Sequence, residues 1–371
     1  MKRILISVIA MSLIAVGVRA AGGDSLLSKP KFSGYSMIQY QATMKTDDNS
    51  NSFNLRIARL SVEGRILKDF AYKIQGQING NTATLGSSPR LVDLFVEWQK
   101  FPFLKVKAGQ FKRPFTMENP MNPIDQGWMG YGQAIQKLAG FSDRTGEHAC
   151  NGRDIGVQVQ GDFLPNSQGR NLLHYQLGVF NGQGINVKDV NEKKDVIGGL
   201  WVMPVVGMRV GAFGWEGSYA RNTGNQVVSL NKHRYALSAE YKKNDLQLRT
   251  EYVHSTGWGF AKTYQNSSDA KDASIKQYAT VSGDTIAGNK ADGFYALAIV
   301  PLLPGKLQGK ARYDLYRPTS TWNLSRTQWE IGLNYEFCKY LEVMAEYALV
   351  NDRSLSRHNY SILDVELCFR F

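Results

Sequence analysis

From Lys31 onward no segment keeps a 3.6-residue apolar rhythm; apolar and polar residues alternate instead, in stretches about ten residues long. In LVDLFVEW, Val92, Leu94, Val96 and Trp98 share one face, and Asp93 and Glu97 share the other. KLQGKARYDLY sets Leu307, Ala311, Tyr313 and Leu315 against Lys306, Gln308, Lys310, Arg312 and Asp314. RTQWEIGLNYEF, YLEVMAEYAL and RYALSAEYKK repeat the pattern, with Tyr and Trp concentrated on the apolar faces. Successive side chains of a strand point to opposite faces, so each stretch predicts a strand with one oily and one wet side. Clusters of Gly, Asn, Asp, Pro and Ser punctuate them as turns.

The candidate strands lie near 32–44, 53–64, 70–80, 91–99, 103–110, 151–161, 171–181, 196–206, 207–219, 232–243, 245–255, 292–302, 306–317, 326–337, 340–350 and 361–371. Their length suits a tilted crossing of a thin outer membrane. Short connections (100–102, Val206–Gly207, Lys243–Asn244, 303–305, Cys338–Lys339) alternate with long ones (111–150, 182–195, 220–231, 256–291). A barrel with both termini in the periplasm shows that asymmetry. A soluble sandwich also alternates, but it needs Greek-key crossings in place of this up-and-down order of hairpins. The expected fold is all-β: a 16-stranded antiparallel transmembrane β-barrel with short periplasmic turns and long surface loops. In the closing SILDVELCFRF, Leu363, Val365, Leu367, Phe369 and Phe371 then face lipid, while Asp364, Glu366, Cys368 and Arg370 face water.

Residues 1–20 have a basic start at Lys2 and Arg3, an apolar run, and Val18 and Ala20 at small-residue cleavage positions. They read as a secretory signal peptide, followed by a periplasmic segment at 21–31 and the barrel at 32–371. The expected location is the outer membrane of a Gram-negative bacterium, with outer-membrane lipid as a partner. Loss of Lys2, Arg3 and Arg19 with no acid takes the formal charge from +12 to +9, so the exported chain stays basic and favours anions. Cys150, Cys338 and Cys368 form an odd set without paired spacing, which argues against a disulfide framework.

Strand parity places many cations inside: Lys105 and Lys107, Arg209, Arg234 and Arg249, and Lys306, Lys310 and Arg312 along one strand. Such a ladder can hand an anion from site to site, although Asp93, Glu240, Glu251, Glu342 and Glu346 are interspersed. In FNLRIARLSVEGRILKDF the phase slips, with Leu55 and Ile57 facing lipid in one register and Leu60 and Val62 in the other. A β-bulge near Ala58 would aim both Arg56 and Arg59 inward; without it one guanidinium meets hydrocarbon, at about 2–4 kcal/mol near the midplane. The loop at 111–150, with Lys112, Arg113, Lys137, Arg144, Trp128 and Tyr131, is long enough to imply a function. By analogy with general porins, this third surface loop is the candidate constriction.

Enzymatic chemistry finds no support. The five histidines, at 148, 174, 233, 254 and 358, belong to no HExxH pattern, and GxSxG and Walker A patterns are also absent. His148 and Cys150 alone do not make a zinc site. No cofactor, metal or nucleic-acid partner is expected.

RIARLSVEGRILKDFAYKIQ, LVDLFVEWQKFPFLKVKAGQFKRPFTMEN, NGRDIGVQVQGDF and LGVFNGQGINVKDVNEKKD resemble stretches of the phosphate-selective porin O and P family, particularly its Bacteroidetes branch. The resemblance runs through nearly the whole mature chain. It implies a homotrimer of sixteen-stranded barrels, each with an arginine-lined constriction for phosphate or polyphosphate. By motif position Arg56 and Arg59 match the pore arginines, Asp93 the wall aspartate and Lys112 the binding lysine, with Arg113 beside it. Ile57 and Ala58 separate the two arginines, which in the family are adjacent. A looser anion site or a non-selective general porin therefore stays open, as do a structural or adhesive barrel and an outer-membrane hydrolase.

Overall fold

A computed structural model describes residues 26–46, 48–79, 89–147, 149–222, 227–257, 259–260 and 290–371. The chain runs through β1 (Lys31–Met44), β2 (Ser50–Ile66), β3 (Phe70–Gln77), β4 (Arg90–Phe101), β5 (Leu104–Lys112), β6 (Arg153–Pro165), β7 (Asn171–Phe180) and β8 (Asp195–Val202). It continues through β9 (Met208–Asn222), β10 (Val227–Lys243), β11 (Leu246–Gly257), β12 (Lys290–Leu303), β13 (Leu307–Arg317), β14 (Arg326–Cys338), β15 (Leu341–Asp352) and β16 (Asn359–Arg370). Each strand pairs antiparallel with its neighbours in sequence, and β16 pairs with β1, closing the barrel. A short helix, α1 (Gln133–Leu138), lies between β5 and β6. The expected sixteen-stranded barrel is the observed fold. The expected signal peptide, His148 and most of the 256–291 connection lie outside the described residues.

Closure leaves no sheet edge, so the strands satisfy their own backbone groups without water. The side chains sort as the alternation requires. Leu237 and Ile331 are 55% and 64% exposed on the outside, whereas Arg312 and Asp314 are 4% and 0% exposed on the inside. In water so large an apolar surface would aggregate; against lipid it is matched to its solvent. Near the short turns Trp98, Phe101, Phe103, Phe163 and Tyr175 form a continuous run of ring contacts, with centroids 5.3–6.3 Å apart. Such a girdle places amphipathic rings at the membrane interface.

Two strands depart from the simple parity. In β2 the register passes from Met37↔Ile57 to Ile38↔Leu55, so the bulged residue is Arg56 and not one near Ala58. Both arginines still turn inward, but Ile57 does too; instead of facing lipid it packs with Met37, Ile124 and Met129. Asn79 closes the bulge, accepting from the Ala58 N–H (2.8 Å) and donating to the Leu55 carbonyl (2.6 Å). In β4 the pairing skips Val92, which is fully buried and leaves the lipid face to Leu94 and Val96. A bulge is fixed by the partner strand's register, which one strand's pattern does not contain.

The seam between first and last strands rests on a glycine. Gly34 and Phe371 exchange backbone hydrogen bonds at 3.0 Å. A Cβ on Gly34 would lie 2.5 Å from the Phe371 ring and 2.9 Å from the Arg59 carbonyl oxygen. Gly34→Val is therefore expected to loosen the closure and lower the temperature at which the folded band on unheated gels gives way to the unfolded one; an unchanged transition would contradict this role.

Candidate functional site

The long connection after β5 turns into the barrel because the facing wall supplies carboxylates for its backbone. Glu251 on β11 accepts from the N–H groups of Met117 and Glu118, both at 2.8 Å. Glu346 on β15 accepts from Met129 N–H (2.9 Å), and Asp314 on β13 from Gln133 N–H at the start of α1 (2.9 Å). Arg249 pairs with Glu118 (3.1 Å), and Arg370 on β16 pairs with Asp125 (2.9 Å). The segment between Lys112 and Arg153 thus reaches from one side of the bore to the other. Trp128 lies between Lys310 and Arg312, whose charged groups are 4.8 and 4.6 Å from its ring.

Several cations assigned to a free basic wall are held in pairs. Lys310 reaches Glu346 and the Gly127 carbonyl, and Arg312 reaches Glu330 and the Gly130 carbonyl. Lys105 pairs with Asp162 (3.3 Å) and Lys107 with Glu97 (3.4 Å). Lys306 is exposed in the turn between β12 and β13 and does not extend the β13 row. Arg56 pairs with Glu366 at 2.8 Å. Parity told which way these side chains point, but the acids opposite them come from neighbouring strands and depend on register.

Arg113 belongs to a closed network. Its guanidinium meets Glu147 at 2.6 Å and Asp154 at 2.9 Å, and Lys232 reaches Glu147 and Asp195 at 3.4 and 3.2 Å. Arg113, Lys232 and Arg234 all approach the Trp215 ring, and Arg234 pairs with Asp143 at 2.7 Å. Burial opposes charge on Glu147, but Arg113 and Lys232 outweigh it and hold that carboxyl below its usual range. Burial likewise opposes charge on Asp143, and Arg234 reverses it in the same way. Burial pushes the Cys150 thiol up to about 12, so it stays protonated and unreactive at neutral pH. This corner anchors the returning end of the loop.

A second group has a charge surplus. Arg59 donates to Tyr35 Oη (2.8 Å) and Gln77 Oε1 (3.1 Å); Arg153 grips Asp93 through Nε (2.5 Å) and Nη2 (3.1 Å). With its amide oxygen turned inward, Asn151 accepts from both guanidinium groups. Lys112 lies across the β5–β6 ladder from Arg153, and its ammonium holds the Asn119 carbonyl (2.8 Å), the Met121 carbonyl and Tyr131 Oη (2.6 Å). No carboxylate among the described residues lies within ion-pair distance of Arg59 or Lys112. Arg59, Lys112 and Arg153 therefore share Asp93 as their one paired acid, and Arg90 reaches the nearby Ala149 carbonyl at 3.4 Å. Of the five residues assigned to a constriction, the structure brings Arg59, Asp93 and Lys112 together, keeps Arg56 at the bulge on Glu366 and removes Arg113 to the anchor. In the expected strand 151–161 Arg153 shares the parity of Ile155, Val157 and Val159 and so would face outward; it is instead the first residue of β6 and fully buried, and the NGRD run that carries it is the available signal.

Beside the loop a cavity of about 450 Å³ lies against β1, β2 and β13–β16. Its charged lining is mixed: Arg56, Arg312 and Arg326 against Asp314, Glu330, Glu346 and Asp364. Tyr131 and Asn151 also line it and connect it to the basic cluster behind them.

A family model described as phosphate-selective porin O and P matches residues 34–371. No curated protein matches the sequence. Among solved structures, an anion-selective porin from Comamonas acidovorans superposes with a TM-score of 0.63 at 12% identity, covering 92% of this chain and 99% of that one. Salmonella typhi OmpF, in complex with daunomycin, gives 0.64 at 13% identity over 92% and 98%. The trimer form of OmpT, an outer membrane protein of Vibrio cholerae, gives 0.58 at 12% identity over 92% and 99%. At these identities the likeness is one of fold alone. The match across the barrel places the chain in the phosphate-selective porin O and P family, as an outer-membrane anion porin of a Gram-negative bacterium.

Proposed function

We propose that the porin passes small phosphate-like anions by passive diffusion through the opening beside the 111–150 loop, which acts as the constriction. The observation that carries this reading is the cluster of Arg59, Lys112 and Arg153 around the single carboxylate of Asp93. Screening is weak in a buried corner, so surplus positive charge there projects through Tyr131 and Asn151 into the passage. Lys310 and Arg312, each engaged by a carboxylate and a loop carbonyl, shape the loop and are not a free relay. The chain carries no catalytic role in this reading. It is exported with residues 1–20 as its signal, and it assembles as a homotrimer, as the trimer form of the Vibrio protein does.

The test is the reversal potential of the purified protein in planar bilayers under a potassium chloride gradient. An anion-selective potential is expected, shifted toward zero by Arg59→Gln. A cation-selective potential would overturn the proposal.

A further inference from the structure

The cavity wall is not what a bare anion calls for. A passage built for inorganic phosphate alone needs hydrogen-bond donors, since that ion at neutral pH is chiefly an acceptor. Here acceptors face the opening as well. Asp364 takes hydrogen bonds from Gln39 (2.8 Å) and Gln41 (2.9 Å) and pairs with no cation among the described residues. Asp314 lies beneath this wall, fully buried, with one oxygen on the Gln133 N–H and Oδ1 enclosed without a partner. The side-chain oxygens of Gln39, Gln41 and Gln328 make no bond among the described residues, their amide nitrogens being used on Asp364 and Glu330. On another side Tyr131 and Phe141 present packed rings, with centroids 4.4 Å apart.

Carboxylates repel a naked anion, but they accept from hydroxyl groups, and amides serve hydroxyls as donor and acceptor at once. Aromatic faces cover the C–H surfaces of a ring that carries such hydroxyls. We infer that this passage is matched to phosphorylated sugars: the hydroxylated ring lies against the amide and carboxylate wall, and the phosphate points to Asn151 and the basic cluster behind it. The inference rests on the anion reading above and adds the hydroxylated body. A wall of both donors and acceptors also limits the hold on the phosphate end, so the solute can leave.

Chloride current through the full-length protein in planar bilayers is titrated with three probes: inorganic phosphate, cyclohexyl phosphate and glucose 6-phosphate. Cyclohexyl phosphate has the ring and the charge without the hydroxyls. Two or three additional hydrogen bonds should let glucose 6-phosphate block at about tenfold lower concentration than cyclohexyl phosphate. The double variant Gln39→Leu, Gln41→Leu should lose that advantage; if it carries no current, the wild-type comparison decides alone. Equal block by the two ring phosphates, or stronger block by inorganic phosphate, overturns the sugar-phosphate inference and leaves the anion reading standing. A cation-selective reversal potential in the same membranes removes both.

Discussion

Asp93→Asn is expected to tighten block of chloride current by phosphate and to lengthen each blocking event. The carboxylate is the one paired acid of the cluster, and asparagine keeps an oxygen for Arg153 while removing the charge. At an effective dielectric of about 20, a unit charge roughly 8 Å from a passing anion is worth about 2 kcal/mol. Reorganisation around the neutral side chain reduces that, so roughly a tenfold fall in the blocking concentration is the expected scale. Flux should drop in parallel, because an ion that binds more tightly leaves more slowly. Titrating phosphate against single-channel current measures both. Block that is unchanged or weaker would mean that the passage does not feel Asp93, and the cluster would lose its assigned part. Some loss of stability should accompany the change, since Arg153 keeps a buried charge without its counterion.

Glu251→Ala is expected to open the bore. This side chain takes the backbone N–H groups of Met117 and Glu118 and also hydrogen-bonds Ser238 and Tyr295 (2.8 Å). Hydrogen bonds to a charged acceptor are worth about 1.5–3 kcal/mol each, so alanine removes much of what keeps the first turn of the loop against β11. Unit conductance should rise and the open-channel current become noisier as the loop samples positions away from the wall. A variant with the wild-type conductance and noise would show that the remaining contacts, at Glu346, Asp314 and Arg370, suffice alone.

The strands were legible because lipid outside and water inside act on every residue of a barrel wall, and both act with period two. That pressure wrote LVDLFVEW and KLQGKARYDLY, and it alone sets Lys310 and Arg312 on the inner face. It did not locate the slip at Arg56 or the burial of Val92, since each depends on how the adjacent strand is staggered. The same limit governs the candidate site. Direction follows from parity, but partnership follows from shear, so a row of lysines looked free when Asp162, Glu97 and Glu346 stood across from it. Arg113 and Lys112 are adjacent in sequence yet end in opposite roles, one locked among acids and the other holding loop carbonyls. Only the path of the inward segment distinguishes them.

Placing the excess charge behind Tyr131 and Asn151 has a consequence for behaviour in brine. Groups on an open rim are shielded by mobile ions within a Debye length, about 8 Å at physiological ionic strength, and fade as salt rises. Arg59 and Arg153 are almost wholly enclosed, so counterions have no room to gather around them. The preference they confer should be carried largely intact from dilute to concentrated surroundings.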